Sequence, residues 1–91
     1  MLPSRRTCPV HSLDVPGIRR RLGTNVRRLR LAAKLTQVQA SERAGLDLRH
    51  FQKIETADTN PGLTSIARVA FGLNVDISVL FKPLPLTLPR R

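Results

Sequence analysis

Hydrophobic residues in the middle of the chain recur at the spacing of successive helical turns. The first such stripe, at intervals of four, three and four positions, comprises Leu22, Val26, Leu29 and Ala33. This spacing predicts a first helix that begins between Gly17 and Leu22 and ends near Ala33. Five basic side chains project away from the stripe: Arg19, Arg20, Arg21, Arg27 and Arg28. Gly23 weakens the early turns somewhat, because glycine loses more backbone entropy than other residues on folding.

A second helix is predicted from the residues at its two ends. Thr36 and Gln39 fit a capping box, in which the threonine oxygen accepts from the third amide and the glutamine side chain reaches back. The helix is expected to end near Ala44, because Gly45 adopts the left-handed conformation without Cβ strain.

A third helix is predicted over residues 48–56, with Asp47 as its N-terminal cap. Phe51 and Ile54 are three positions apart, so they face the core together, and Leu46 packs just before the cap. The second and third helices are therefore short and are joined by a tight turn at Gly45.

Two further helices complete the predicted domain. Residues 57–62 form a loop, because Asn-Pro-Gly favours a turn. The fourth helix covers residues 63–73, and its apolar face comprises Leu63, Ile66, Ala67, Ala70 and Leu73. Asn74 is a suitable left-handed terminator, and Asp76 caps a final short helix that carries Ile77, Leu80 and Phe81. Five helices with short connections predict an all-α fold.

The two ends of the chain differ from the middle in composition. Residues 1–16 and residues 83–91 contain three prolines each, a density that removes donors needed by helices and strands. We therefore expect a flexible N-terminal arm over residues 1–16, a domain over residues 17–82 and a proline-rich basic tail over residues 83–91. The tail also contains the alternating apolar residues Leu84, Leu86 and Leu88.

Charge narrows the range of partners. The 91 residues include 16 Lys+Arg and 6 Asp+Glu, a formal net charge of +10 that favours a polyanion such as DNA, RNA or an anionic membrane. The alternative is a soluble or ribosome-associated basic protein. No segment has the roughly 18 to 20 apolar residues that a membrane span needs, and the apolar face of the first helix is required in the core. The single Cys8 gives no support to an oxidising compartment, so a cytoplasmic protein is expected.

No catalytic constellation is visible in the sequence. Cys8 and His11 have metal-like spacing, but two ligands in a proline-rich arm are too few for a structural zinc site. His11 and His50 have no nucleophile as a plausible partner, and no glycine-rich phosphate loop occurs. We therefore expect no enzyme activity, no cofactor and no metal.

The ordered motifs of the chain resemble a known family. They are Val26-Arg27-x-Leu29-Arg30, Leu35-Thr36-Gln37, Ala44-Gly45-Leu46, Ile54-Glu55, Asn60-Pro61, Ala70-x-x-Leu73-x-Val75 and Leu80-Phe81. This set, covering about residues 18–82, is similar to the phage-repressor and Cro type of helix-turn-helix domain shared by XRE regulators. The resemblance implies a five-helix lambda-repressor-like bundle whose third helix enters the major groove of DNA. It also implies an ion pair between Arg30 and Glu55 that links the first helix to the end of the third; the alternative is an exposed Arg30.

Four positions depart from the family pattern. Ala40 and Ser41 stand where the family usually has leucine and then alanine. Lys34 and Ala57 stand where glycine is common, and an alanine with positive φ would cost on the order of 1 kcal/mol unless the loop differs.

Candidate DNA contacts divide into base and phosphate contacts. The third helix supplies the base contacts, because a short helix with basic and amide tips can hydrogen-bond base edges: Leu48, Arg49, Gln52 and Lys53. The resemblance places a phosphate contact on Gln37, at the start of the second helix, where free amides favour an anion. Arg43 and His50 are further phosphate candidates, although Arg43 can be a solvated charge and His50 can pack near the second helix.

These features predict a sequence-specific transcriptional regulator of double-stranded DNA, more often a repressor than an activator, that binds as a homodimer. The alternative is an antitoxin that binds its own promoter and also a toxin partner. A second alternative is a nucleic-acid-binding protein held by charge alone.

Overall fold

The computed structural model describes residues 14–83, and this part of the chain is all-α. It contains α1 (Val15–Ala32), α2 (Gln37–Ala44), α3 (Leu48–Glu55) and α4 (Leu63–Leu73), followed by a 3₁₀ helix (Ile77–Phe81). No strand occurs within these residues. No helix among them combines the length and the apolar character that a membrane crossing requires. Predictions for Cys8, His11, Leu84, Leu86, Leu88 and most of the two basic arms lie outside the described residues.

The first helix begins earlier than the sequence indicated. The carboxylate of Asp14 accepts a hydrogen bond from the Gly17 amide at 2.9 Å and caps a helix that starts at Val15. Pro16 was assigned to the arm, but it lies in the first helical turn, where no intrahelical N–H donor is needed. The helix therefore begins two residues before the boundary that the sequence predicts between the arm and the domain at residues 16 and 17.

Both helices of the predicted turn have the expected caps. Thr36 accepts from the Gln39 amide at 3.0 Å, and the Gln39 side chain accepts from the Thr36 amide at 2.9 Å. Gly45 has φ 69, and Asp47 accepts from the Arg49 amide at 3.1 Å. These local interactions fix where α2 ends and where α3 begins.

The last element is a 3₁₀ helix where a fifth α-helix was predicted. Its five residues are capped by Asp76, as expected, but they are too few for a stable α-helix in isolation. The fully buried amide of Asn25 holds its end, donating to the carbonyls of Leu80 at 2.9 Å and Lys82 at 3.0 Å. The amide therefore ties α1 to the last carbonyls of the domain.

The core lies between the four α-helices and the 3₁₀ helix. Its buried members are Leu22, Val26, Ala40, Phe51, Ile54, Val69, Ala70, Leu73 and Leu80. In α4 the apolar face is rotated from the predicted one, since Val69 is buried whereas Leu63 is 75% exposed and Ala67 is also exposed. Leu63 is the first residue of α4, so its side chain extends beyond the edge of the core.

Two close helix contacts depend on glycine. A Cβ at Gly23 would lie 2.5 Å from the Glu55 carbonyl oxygen, so α1 meets the end of α3 backbone to backbone. A Cβ at Gly72 would lie 2.7 Å from the Ala44 nitrogen, which shows how near α4 approaches α2. Ala40 and Ser41 are both buried at this crossing, consistent with their small size.

Between residues 14 and 83, three non-glycine residues adopt the left-handed conformation. Asn74 terminates α4 with φ 58, as predicted. Lys34 and Ala57, which occupy positions where the resembling family often has glycine, have φ 61 and φ 64. Asparagine tolerates this region, whereas lysine and alanine are strained there.

Candidate nucleic-acid interface

The exposed face of α3 is held in place by two buried side chains on its opposite face. Phe51 is fully buried and Ile54 is 2% exposed, while Leu46 packs against the same core just before the helix. Gln52 and Lys53 lie three and four positions after Arg49, and all three side chains are exposed. The helix therefore presents one guanidinium, one amide and one ammonium group together to solvent.

A buried ion pair connects the end of α3 to α1. Arg30 Nε donates to Glu55 Oε2 at 2.6 Å, and Arg30 Nη2 donates to Glu55 Oε1 at 3.2 Å. The two side chains are only 9% and 2% exposed. Arg30 Nη1 also donates to the Leu35 carbonyl at 3.0 Å, so the same guanidinium fixes the start of the connection to α2. This bidentate pair is the one that the resemblance implied, and it restrains the angle between α1 and α3.

A chain of amide hydrogen bonds extends the ion pair to the surface. Gln37 Nε2 donates to Glu55 Oε1 at 3.0 Å, and Gln37 Oε1 accepts from Gln52 Nε2 at 3.1 Å. The orientation of the Gln37 amide is therefore set by the carboxylate, since only its NH₂ group can donate to Glu55. Gln52 is in turn held by the oxygen of Gln37, so an exposed base-contact candidate is oriented from the protein interior.

The sequence did not reveal this connection. Gln37 was predicted to contact phosphate, and the structure places its side chain between Glu55 and Gln52 instead of leaving it free at the helix start. The contact depends on the angle at which α2 crosses α3, which no local pattern encodes. The only signal was the presence of two glutamines near the two ends of the predicted helix-turn-helix segment.

The other predicted contacts lie at the margins of the α3 surface, which is the exposed side of α3 formed by Arg49, Gln52 and Lys53. His50 is half-buried, and its Nε2 lies 3.1 Å from Ser65 Oγ, so its ring contacts α4. Leu48 is half-buried at the start of α3. Arg43 is exposed near the end of α2, at the other end of that helix from Gln37. The structure therefore groups Arg49, Gln52 and Lys53 and sets Arg43 apart.

The surroundings of the exposed side of α3 are simple in the part of the chain that the structure describes. No group of three potential metal ligands converges within residues 14–83. Two shallow depressions in this part of the chain are lined by residues in or beside α2 and α4. The exposed side of α3 therefore remains an open surface that carries the positive charges of Arg49 and Lys53.

Comparison with known proteins gives matches over the same region. A family model described as a helix-turn-helix domain matches residues 21–80. An immunity repressor protein of Bacillus phage phi105 is 34% identical over 59 residues, which is 65% of this chain. The chain spans 41% of the length of that repressor.

Two solved structures have a similar fold. The restriction-modification controller protein C.AhdI from Aeromonas hydrophila aligns with TM-score 0.67 and 28% identity over 69% of this chain and 96% of its own. A hypothetical transcription factor, NHTF from Neisseria, aligns with TM-score 0.71 and 27% identity over 78% of this chain and 82% of its own.

Proposed function

Because the chain belongs to the helix-turn-helix domain family, we propose that it is a sequence-specific, DNA-binding transcriptional regulator whose recognition helix is α3. The observation that carries this proposal is the orientation of α3, with Phe51 and Ile54 buried and Arg49, Gln52 and Lys53 exposed. A major groove about 12 Å wide admits a helix presented in this way.

The exposed side chains match the chemistry of base edges. Arg49 can donate two hydrogen bonds to guanine O6 and N7, a contact worth about 1 to 3 kcal/mol of discrimination. Gln52 donates one N–H to Gln37. Its other N–H can donate to adenine N7, and its carbonyl oxygen can accept from adenine N6. Lys53 can contact guanine or a phosphate, and Leu48 can pack against a thymine methyl group.

The remaining candidates serve as phosphate contacts in this proposal. Gln37 lies at the N-terminus of α2, where the helix dipole favours an anion, and its NH₂ group keeps one hydrogen after donating to Glu55. His50 and Arg43 lie further from the centre of the α3 surface. They add affinity that depends on salt and not on sequence.

The regulator is proposed to act as a repressor and as a symmetric homodimer. Repression needs only occupancy of a promoter, and a matching relative is named as a phage immunity repressor. One recognition helix touches few base pairs, so two copies on half-sites about one helical turn apart improve discrimination. Such a protein acts on double-stranded DNA in the cytoplasm.

An antitoxin with a toxin partner would use α3 in the same way on its own promoter. Nothing within residues 14–83 identifies a toxin-binding segment, so the simpler regulator is the function proposed. A binder of nucleic acid by charge alone would not need α3 to be oriented by buried residues.

The proposal is tested by selection from random duplex DNA. We expect a two-fold symmetric motif with half-sites about 10 base pairs apart, centre to centre. Arg49→Ala should relax the preference at one position of each half-site. Arg20→Ala removes the same charge from an exposed position of α1 and should lower affinity equally for all sequences. Enrichment of no motif by the wild-type protein would refute sequence-specific recognition.

A further inference from the structure

An exposed carboxylate lies just beyond the end of α3. Four of the six acidic residues of the chain have a structural role, three as helix caps and one in the ion pair with Arg30. They are Asp14, Asp47, Asp76 and Glu55. The other two are Glu42, on α2, and Asp58, three positions after the last residue of α3. The positions of these two charges are not explained by helix capping or by the ion pair.

The chain turns back on itself immediately after α3. Ala57, with φ 64, reverses its direction, and the Asp58 amide then donates to the Lys53 carbonyl at 2.8 Å. The hydroxyl of Thr56 lies 3.1 Å from the Gln52 carbonyl oxygen and 3.2 Å from Asp58 Oδ2. Because the exposed Thr56 stands four positions after Gln52 and three after Lys53, it continues the α3 surface along the same side of the helix. The Asp58 carboxylate therefore lies at the C-terminal end of the α3 surface.

The charge of Asp58 is unfavourable at this position. The C-terminal end of a helix carries partial negative charge, so it favours a cation and repels a carboxylate. Asp58 is exposed and forms no ion pair with a basic side chain within residues 14–83. Its contact with Thr56 uses Oδ2 and leaves Oδ1 as an acceptor. In a chain with a net charge of +10, an unpaired carboxylate beside the proposed recognition helix indicates selection between sequences and not gain of affinity.

A carboxylate distinguishes between the groups that DNA presents to a recognition helix. In the major groove, the amino groups at cytosine N4 and adenine N6 donate hydrogen bonds that a carboxylate can accept. Guanine O6 and thymine O4 are acceptors, so an ionised carboxylate cannot bond to them. Phosphates, which supply most of the non-specific affinity, repel it.

We propose that Asp58 is a specificity-determining residue whose carboxylate accepts a hydrogen bond from the amino group of a cytosine or an adenine in each half-site. On other sequences the same carboxylate meets an acceptor or a phosphate and lowers the affinity. The proposal rests on the proposed function, since α3 must lie in the major groove. It adds that repulsion at one end of α3 contributes to specificity together with attraction along the helix.

The charge of Asp58 can be removed while its shape is kept. Asp58→Asn retains an oxygen acceptor for Thr56, so a purely structural role of the side chain would be preserved. Glu42→Gln removes the same charge from an exposed position of α2 and is the matched control. Both variants and the wild type are compared as full chains.

Selection from random duplex DNA gives the first readout. The wild-type motif should include one position in each half-site at which cytosine or adenine is preferred, and the motif itself shows which of the two it is. Asp58→Asn should broaden this preference, because an amide can also donate to guanine O6 or thymine O4. Glu42→Gln should retain the wild-type preference.

The affinity for a duplex with scrambled half-sites gives the second readout. Asp58→Asn should raise this affinity by about threefold or more, because one repulsion between a carboxylate and a phosphate is removed. Its dependence on salt should become steeper. The ratio of the affinities for the selected motif and for the scrambled duplex should therefore fall for Asp58→Asn and stay constant for Glu42→Gln.

The outcomes separate this proposal from the proposed function. A motif that Asp58→Asn leaves unchanged, or an affinity ratio that falls equally for Glu42→Gln, overturns the role of Asp58. Either result can occur while the wild-type protein still selects a two-fold symmetric motif, which leaves sequence-specific recognition in place. If the wild-type protein selects no motif, both proposals fail. A urea midpoint of Asp58→Asn at or above that of the wild type verifies that the change reflects binding and not unfolding.

Discussion

Replacing Lys34 or Ala57 by glycine is expected to stabilise the domain. Both residues have left-handed backbones, with φ 61 and φ 64, and a side chain in this region costs roughly 1 to 2 kcal/mol. Glycine relieves that strain but loses about 0.5 to 1 kcal/mol more backbone entropy on folding. The net gain is therefore about 0.5 to 1 kcal/mol for each position.

The gains should add in the double variant. The Lys34 amide donates to Leu31 and the Ala57 amide donates to Ile54, so the two loops share no hydrogen-bond partner. Urea unfolding followed by circular dichroism should show a higher midpoint with an unchanged slope. In a domain of this size, each kcal/mol corresponds to a rise in Tm of about 4 to 8 °C.

Matched variants distinguish strain from other effects. Lys34→Ala removes the charge but keeps the strain, so it should lack most of the gain. Ala33→Gly, in the same loop but with φ −85, should destabilise by about 0.5 to 1 kcal/mol. If Lys34→Gly is no more stable than Lys34→Ala, the left-handed strain inferred at that loop is absent.

Three further predictions concern packing, the ion pair and pH. Gly23→Ala should destabilise the domain by about 1 to 3 kcal/mol, despite the better helix propensity of alanine, because its Cβ would overlap the Glu55 carbonyl. An unchanged urea midpoint would contradict the close approach of α1 to the end of α3. Arg30→Met should destabilise the domain by about 3 to 5 kcal/mol because it leaves the buried Glu55 carboxylate without its partner. The double variant Arg30→Met/Glu55→Leu should recover part of this loss of stability. Equal losses in the single and the double variant would contradict an unpaired buried charge. Hydrogen bonds from Ser78 hold the pKa of Asp76 below its ordinary value of 3.8. The stability that Asp76 adds is therefore present above that value and is lost as pH falls through the lowered pKa, so the difference between wild type and Asp76→Asn should shrink in acid; a constant difference would contradict it.

The elements predicted best from the sequence are those fixed by neighbouring residues. The capping box of α2, the left-handed Gly45 and the Asp47 cap each depend on interactions within a few positions, and all are present. The start of α1 lies before the expected one because proline, which the composition of residues 1–16 assigns to a flexible arm, also fits the first turn of a helix. Interactions between residues a few positions apart therefore determine where these helices begin and end.

The features that sequence reasoning missed depend on how helices cross. Asn25 was an ordinary polar position in the sequence, but it is buried against carbonyls 55 and 57 positions away. The orientation of Gln52 by Gln37 likewise requires the angle between α2 and α3. The ion pair between Arg30 and Glu55 was anticipated only through the family resemblance, since neither residue signals its partner in isolation.

We propose that α3 presents Arg49 to base edges in the major groove. Replacing guanines of a selected half-site one at a time by 7-deazaguanine removes the N7 acceptor without altering base pairing. At one position, the modified guanine should lower the affinity of the wild-type protein by about 2- to 10-fold, because one of the two hydrogen bonds from Arg49 is lost. The same modified guanine should leave the affinity of the Arg49→Ala variant unchanged. Equal losses for both proteins at every guanine, or no loss anywhere, would contradict the account.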